Sequence, residues 1–354
     1  MKLEFKPDFE EVQKQWRAFW KGENNRPIVC MSMPREGVTP VKRPPYTSGA
    51  DGNFEPVIDR LLAWAATHEF IGEAIPFYYL EFGPDHFSAL LGADLKFDPE
   101  NPGTSWCQPF VKDWDETEIA FRRESFWWKR TVAFARALRK RCDGKLLIAA
   151  PTLCANIDAL AAVRGANNLL MDMVLCPEKI HRALDQVCIA YAEIMEALAV
   201  ELGFEEFGSI NRHGLYCEGR IDVVQCDTSC MISPEMFREF VVPCMERQCA
   251  ILDAAEYHLD GPGAVKHIEE ICKIKRIDVI QWVQGAGNPM EQNWSGLYKK
   301  IDNLGKGQIL AESSERIKQL WREYKSRKLI FGETTITSKK EAERFMKELE
   351  EYCR

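Results

Sequence analysis

Residues 222–282 read DVVQCDTSCMISPEMFREFVVPCMERQCAILDAAEYHLDGPGAVKHIEEICKIKRIDVIQW. A short apolar run, Val223 and Val224, ends at Asp227. Ser233 then stands as N-cap and Pro234 at the first helical position, where its missing N–H breaks no bond. Met236, Phe237, Phe240, Val241, Cys244 and Met245 follow at helical spacing. A second run ends at His258 and Asp260, and the Gly261-Pro262-Gly263 turn launches another amphipathic helix. A third run, Ile277 to Ile280, ends at Gln281 and Trp282. The order is strand, helix, strand, helix, strand. In parallel α/β folds, polar residues just past strand ends collect at one face, where sites are built. Asp227, His258, Asp260 and Gln281 stand at such ends.

The same alternation extends in both directions. Upstream, the spacing predicts a helix over 8–20, a buried strand over 27–33 and a long Pro- and Gly-containing loop over 34–54. It then predicts a helix over 56–70, a strand over 74–80 followed by Glu81, an irregular stretch over 98–114, and one long helix over 115–141. A strand over 145–150 precedes helices over 157–164, 166–175 and 177–202 and a weak strand over 207–211. Downstream come a helix over 290–304, a strand over 307–311, a helix over 314–327, a last strand over 328–331 and a closing helix over 338–352. Near eight strands, each followed by helix, imply a (β/α)8 TIM barrel with an extra N-terminal helix, in one domain spanning 1–354.

Net charge is −8, and no long basic run occurs, so nucleic acid is excluded as the expected partner. No apolar stretch is long enough to span a membrane, and the N-terminus lacks the apolar core of a signal peptide; a cytoplasmic protein is expected. The 13 cysteines include no CxxC pair. Most read as reduced core residues; Cys226 and Cys230 flank the central strand end, as buried residues or as ligands. No Walker or dinucleotide phosphate loop is present, since GPGAVKH and GAGNP lack the spacing. His68, His86, His181 and His267 fall in expected helices and receive no role.

DTSCMISPEMFREFVVP, at 227–243, resembles the uroporphyrinogen decarboxylase superfamily, in which a strand ends in a turn followed by an SP-initiated aromatic helix. RPIVCMSMPRE, EAIPFYYLEFGPDHFSALLGADLKF, IDVIQW and LIFGETTITSKKEAERFM resemble further elements of that family, in the same order along the chain. The resemblance implies a TIM barrel and one of two chemistries. One is cofactor-free decarboxylation of a tetrapyrrole; the other is methyl transfer between corrinoid proteins and thiols, with zinc held by a His-x-Cys pair and a later Cys.

This chain departs from both. Decarboxylases carry an arginine-rich loop after the first strand, and here Arg35 alone lies in the matching turn. Glu81 stands where the family has a catalytic Asp, and Glu333 where it has a His. His258-Leu259-Asp260 replaces His-x-Cys, and the last strand has no cysteine. His258, Asp260 and Glu333 would make a harder set suited to zinc or another divalent metal; alternatively, His258 and Asp260 brace the glycine turn. The expectation is therefore a metal-assisted methyltransferase acting on a methyl-corrinoid or a small methylated substrate. Glu81, Asp227, His258 and Glu333 would be catalytic, and Arg35, His213, Tyr216, Gln281 and Trp282 would contact substrate. A corrinoid carried by a partner protein and a homodimer belong to this reading. Two alternatives stand beside it: a decarboxylase of a tetrapyrrole or smaller polycarboxylate, which requires Arg35, Arg43 and Arg212 to converge, and a non-catalytic corrinoid or tetrapyrrole carrier.

Overall fold

The computed structural model describes residues 2–98, 101–285 and 293–354. Strands are β1 (Ile28–Pro34), β2 (His68–Gly72), β3 (Phe77–Tyr79), β4 (Asp94–Asp98), β5 (Asn101–Gln108), β6 (Leu147–Ala149), β7 (Ser209–Ile210), β8 (Tyr216–Cys217), β9 (Ile221–Gln225), β10 (Ala254–Asp260), β11 (Ile277–Val283), β12 (Gly307–Glu312) and β13 (Leu329–Glu333). The central sheet has the order β2-β1-β13-β12-β11-β10-β9. Every pairing in it is parallel except β1 with β2. First and last long strands are neighbours, as in a sheet that curls on itself.

The barrel expectation is met in part. The fold is mixed α/β with a parallel central sheet and helical crossovers, but among the described residues the ladders do not close. β3 pairs only with β6, over three residues, and β7 pairs with β8. Pro76 before β3 and Pro151 after β6 lack the N–H that would extend those ladders. β6 still lies beside β7, and β7 beside β9.

Four local expectations differ. The helix Phe54–Ala66 stops early, and 68–72 turns back as β2 against β1. The stretch expected to be irregular contains β5, which forms an antiparallel hairpin with β4; the buried positions of β5 among the described side chains are Ser105 and Cys107, which do not read as an apolar alternation. The long helix is Phe126–Cys142, capped by the Ser125 hydroxyl accepting from Trp128 N at 3.1 Å. Residues 115–124 stay outside the helix, as turns and irregular chain: Ile119 and Phe121 bury in the core, Ile119 N bonds Gln186 and Arg122 N bonds the Leu90 carbonyl. The helix expected over 290–304 is Ser295–Asn303; residues 290–292 lie outside the described residues.

The N-terminal helix Phe9–Lys21 decides which end of the sheet is free. Phe9, Val12, Trp16 and Phe19 pack on Ile28, Leu147, Ile221, Ala254, Val279 and Ile330 near the strand starts. Burying each large side chain contributes roughly 1.5–3 kcal/mol, so the strand starts form a packed floor. The C-terminal strand ends are left to carry polar groups.

Candidate functional site

β10 sets the geometry. Its side chains alternate: Tyr257 and Leu259 bury in the core, while Glu256, His258 and Asp260 share the opposite face. Register places His258 opposite Gln225 of β9 and Gln281 of β11. His258 Nδ1 makes a close hydrogen bond to the Gln281 carbonyl oxygen, Oε1. Since that oxygen only accepts, Nδ1 carries the ring proton and Nε2 keeps a free lone pair. Gln225 Nε2 donates to Asp227 Oδ2 at 3.1 Å. Asp227, His258 and Asp260 then offer one ligand atom each, all within 4.8 Å of one another. Asp260 Oδ1 is buried and has no hydrogen-bond partner among the described residues. One imidazole with a free Nε2, two carboxylates and an orphaned oxygen fit a divalent cation of borderline or hard character.

The electrostatics agree with that fit. Burial, then the Arg212 charge, pushes the His258 imidazole down to about 4, so it is neutral at physiological pH. Asp227 is pushed up to about 7 by desolvation and then by the Asp158 and Asp260 carboxylates. The residue is exposed as a whole; the desolvation is that of a carboxyl end set among protein atoms, not of a side chain sealed from water. Asp158, in the first turn of the helix Ile157–Arg164, accepts from Asp227 N and Thr228 N, each at 2.8 Å. Arg212 donates from Nη2 to Gln225 Oε1 at 2.8 Å and lies close enough to Glu81, Glu256 and Asp227 to act on their charge.

Two further groups complete the strand ends. Glu81, fully buried after β3, accepts from the Tyr79 hydroxyl in a close hydrogen bond and from Thr152 N at 2.9 Å. Burial raises its carboxyl to about 7 against those donors. Tyr46, from the loop after β1, lies against Tyr79 with ring centroids 5.6 Å apart. On the β7 side, Glu256 is completely buried and holds His213 Nδ1 at 2.5 Å and Asn211 Nδ2 at 2.7 Å. Burial alone would raise Glu256; His213, Arg212 and Asn211 outweigh it and keep the carboxylate ionised. The His213 and His258 rings lie 5.9 Å apart.

Other expected residues are placed elsewhere. Glu333 is outside the triad: its oxygens accept from Ser314 N at 3.1 Å, Ser314 Oγ at 3.0 Å, Thr335 N at 3.0 Å and Ile336 N at 2.6 Å. It organises the start of the helix Ser314–Glu323 and its own turn. Tyr216 lies in the floor, against Phe9 at 5.4 Å, hydrogen-bonded to Gln13 and Phe207. Trp282, on the face of β11 opposite Gln281, packs against Trp294. The three arginines have separate partners. Arg35 bonds the His68 carbonyl and pairs with Glu69; Arg43 lies over Trp64 and Phe77; only Arg212 reaches the strand-end network. Cys226 is buried beside Asp158, and Cys230 is exposed.

Glu256, Tyr79, Asn211 and Asp158 were missed by the reading of the sequence. The signal for the first three was available: Tyr79/Glu81, Asn211/His213 and Glu256/His258/Asp260 repeat polar residues at period two, in or just beyond otherwise apolar strands. Asp158 gives no such signal, because it acts from a helix start.

No protein-family model matches the sequence. No curated protein matches it. Among solved structures, the fold is similar to that of a methyltransferase from Methanosarcina mazei, with TM-score 0.59 at 11% identity over 97% of this chain and 99% of that one.

Proposed function

We propose that this chain is a methyl-transfer enzyme on a TIM-barrel scaffold of the uroporphyrinogen decarboxylase type, with a divalent metal held by Asp227, His258 and Asp260. The observation that carries the reading is the convergence of those three ligand atoms within 4.8 Å at the strand ends. Its direction towards methyl transfer rests on the fold it shares with the Methanosarcina mazei methyltransferase and on the separate partners of Arg35, Arg43 and Arg212. A porphyrinogen would lack converging counter-charges there.

Asp227, His258 and Asp260 would hold zinc or a related cation, which would supply Lewis acidity towards a heteroatom of the substrate. The chain's own residues do the rest. Gln281 fixes the His258 tautomer, and Gln225 orients Asp227 against Arg212. Glu256 holds His213 in one orientation at the edge of the site. Glu81, poised near neutrality, takes or gives a proton at its carboxyl oxygen. The methyl group would come from a methyl-corrinoid on a partner protein or from a small methylated compound.

The test begins with elemental analysis of untagged protein, followed by metal titration of wild type and of Asp227→Asn, His258→Ala and Asp260→Asn. Near-stoichiometric metal in wild type is expected, with each variant losing at least about tenfold in affinity. Methyl transfer from methylcobalamin to a thiol should fall in parallel. Wild type that binds no metal after reconstitution overturns the ligand assignment.

A further inference from the structure

A cleft of ≈ 1200 Å³ opens between the ends of β11 and β12 and the helices Ser295–Asn303 and Ser314–Glu323. Trp282, Trp294 and Tyr298 line it, the two indoles packed edge to face with centroids 4.7 Å apart. Glu312 is half-buried, and among the described residues its carboxylate makes no hydrogen bond or ion pair; burial holds it above the usual carboxylate range. The cations at the rim pair with Glu323, Lys299 at 3.3 Å and Arg316 at 3.5 Å; the Arg316 charge also acts on Glu312, but less than burial does. Asp260 belongs to the same wall, so the cleft reaches the edge of the triad.

An aromatic wall beside an unpaired carboxylate selects for organic cations. Ring faces attract positive charge through their quadrupole, and a partly desolvated carboxylate attracts it more strongly than one in water. A weakly hydrated, methylated ammonium gives up little solvation to enter such a place. We propose that this cleft binds a small organic cation of the methylated-ammonium class. The assignment goes beyond the methyl-transfer reading and shares only Asp260 with it.

The experiment is calorimetric titration of the full chain with choline and with its neutral carbon isostere, 3,3-dimethylbutan-1-ol. Choline is expected to bind about tenfold tighter or better. Glu312→Gln, which preserves shape, removes that discrimination. Trp294→Leu weakens choline. Equal affinity for the two probes, no choline binding, or discrimination that survives Glu312→Gln overturns the proposal. Metal titration of the same samples separates the two readings. Metal bound without choline discrimination sinks only the cleft, and choline discrimination without metal sinks only the triad.

Discussion

Glu81 sits in the one position on β3's end where a carboxyl is wholly buried yet faces two donors, Tyr79 and Thr152. Its folded value near 7 exceeds the ordinary 4.5, so the folded state keeps a proton that the unfolded chain has lost. Stability therefore falls as pH rises from about 4.5 to 7 and is flat above. Glu81→Gln removes this term while keeping an acceptor for both donors. Urea unfolding should find the variant equal to wild type near pH 4 and more stable by about 2–3 kcal/mol at pH 8. Methyl transfer should fall by about 10²-fold or more. An equal stability difference at both pH values would mean that Glu81 does not titrate in this range. At this scale the sequence shows which polar residues follow a buried strand, and the structure sets Glu81, Asp227, His258 and Asp260 at the strand ends. Glu333 also ends a strand but lies outside the group formed by Asp227, His258 and Asp260. There the neighbours are Ser314, Thr335 and Ile336, whose N–H and hydroxyl groups consume the carboxylate locally. Nothing in the residue type separates the two cases.

At the scale of elements, the triad depends on two 3₁₀ turns, Asp227–Met231 and Pro262–His267. His267, completely buried, donates from Nε2 to the Ser229 carbonyl at 2.9 Å and stacks on Phe237 at 4.2 Å, so it joins both turns. Asp158 pins the first turn from below. Asp158→Ala leaves two backbone N–H groups without their acceptor and should destabilise by about 2–5 kcal/mol. It also relieves the repulsion on Asp227, which would favour metal binding. At pH 8, above the value near 7 for Asp227, that relief is small, and lost positioning should dominate. Metal affinity is therefore expected to drop about tenfold or more at pH 8, and unchanged affinity in a folded variant would refute the positioning role. The SP-initiated helix that announced the fold in the sequence is real: Ser233 caps it, accepting from Met236 N at 3.2 Å. Its π turn at Phe237–Val241 was not foreseeable from spacing, because an apolar stripe reads alike for α and π windings. β5 and the β7–β8 pair were illegible or half-legible for a related reason: strands of two residues, or with Ser and Cys as the buried positions, carry no apolar alternation.

Over the whole molecule, floor and site lie at opposite ends of the same strands, and that separation is testable. At the floor, Arg26 and Glu73 form a buried bidentate pair at 2.7 and 3.0 Å, and Glu73 also accepts from Val29 N at 2.9 Å. Asn24 bonds the Arg327 carbonyl at 2.8 Å beside it, tying the start of β1 to the approach of β13. The pair thus braces the seam where the first and last parallel strands meet. Removing one member strands a charge away from water, so Arg26→Met should cost about 3–5 kcal/mol. Arg26→Met combined with Glu73→Leu should recover part of that loss, limited by the Val29 N–H that then lacks its acceptor. Neither variant touches the strand ends that carry Asp227, His258 and Asp260. Denaturant midpoints should fall in both, more in the single variant, while metal affinity of the folded fraction stays at the wild-type value. A drop in metal affinity matching the stability loss would mean that floor and site move as one unit, and that the seam holds the geometry of the triad as well as the fold.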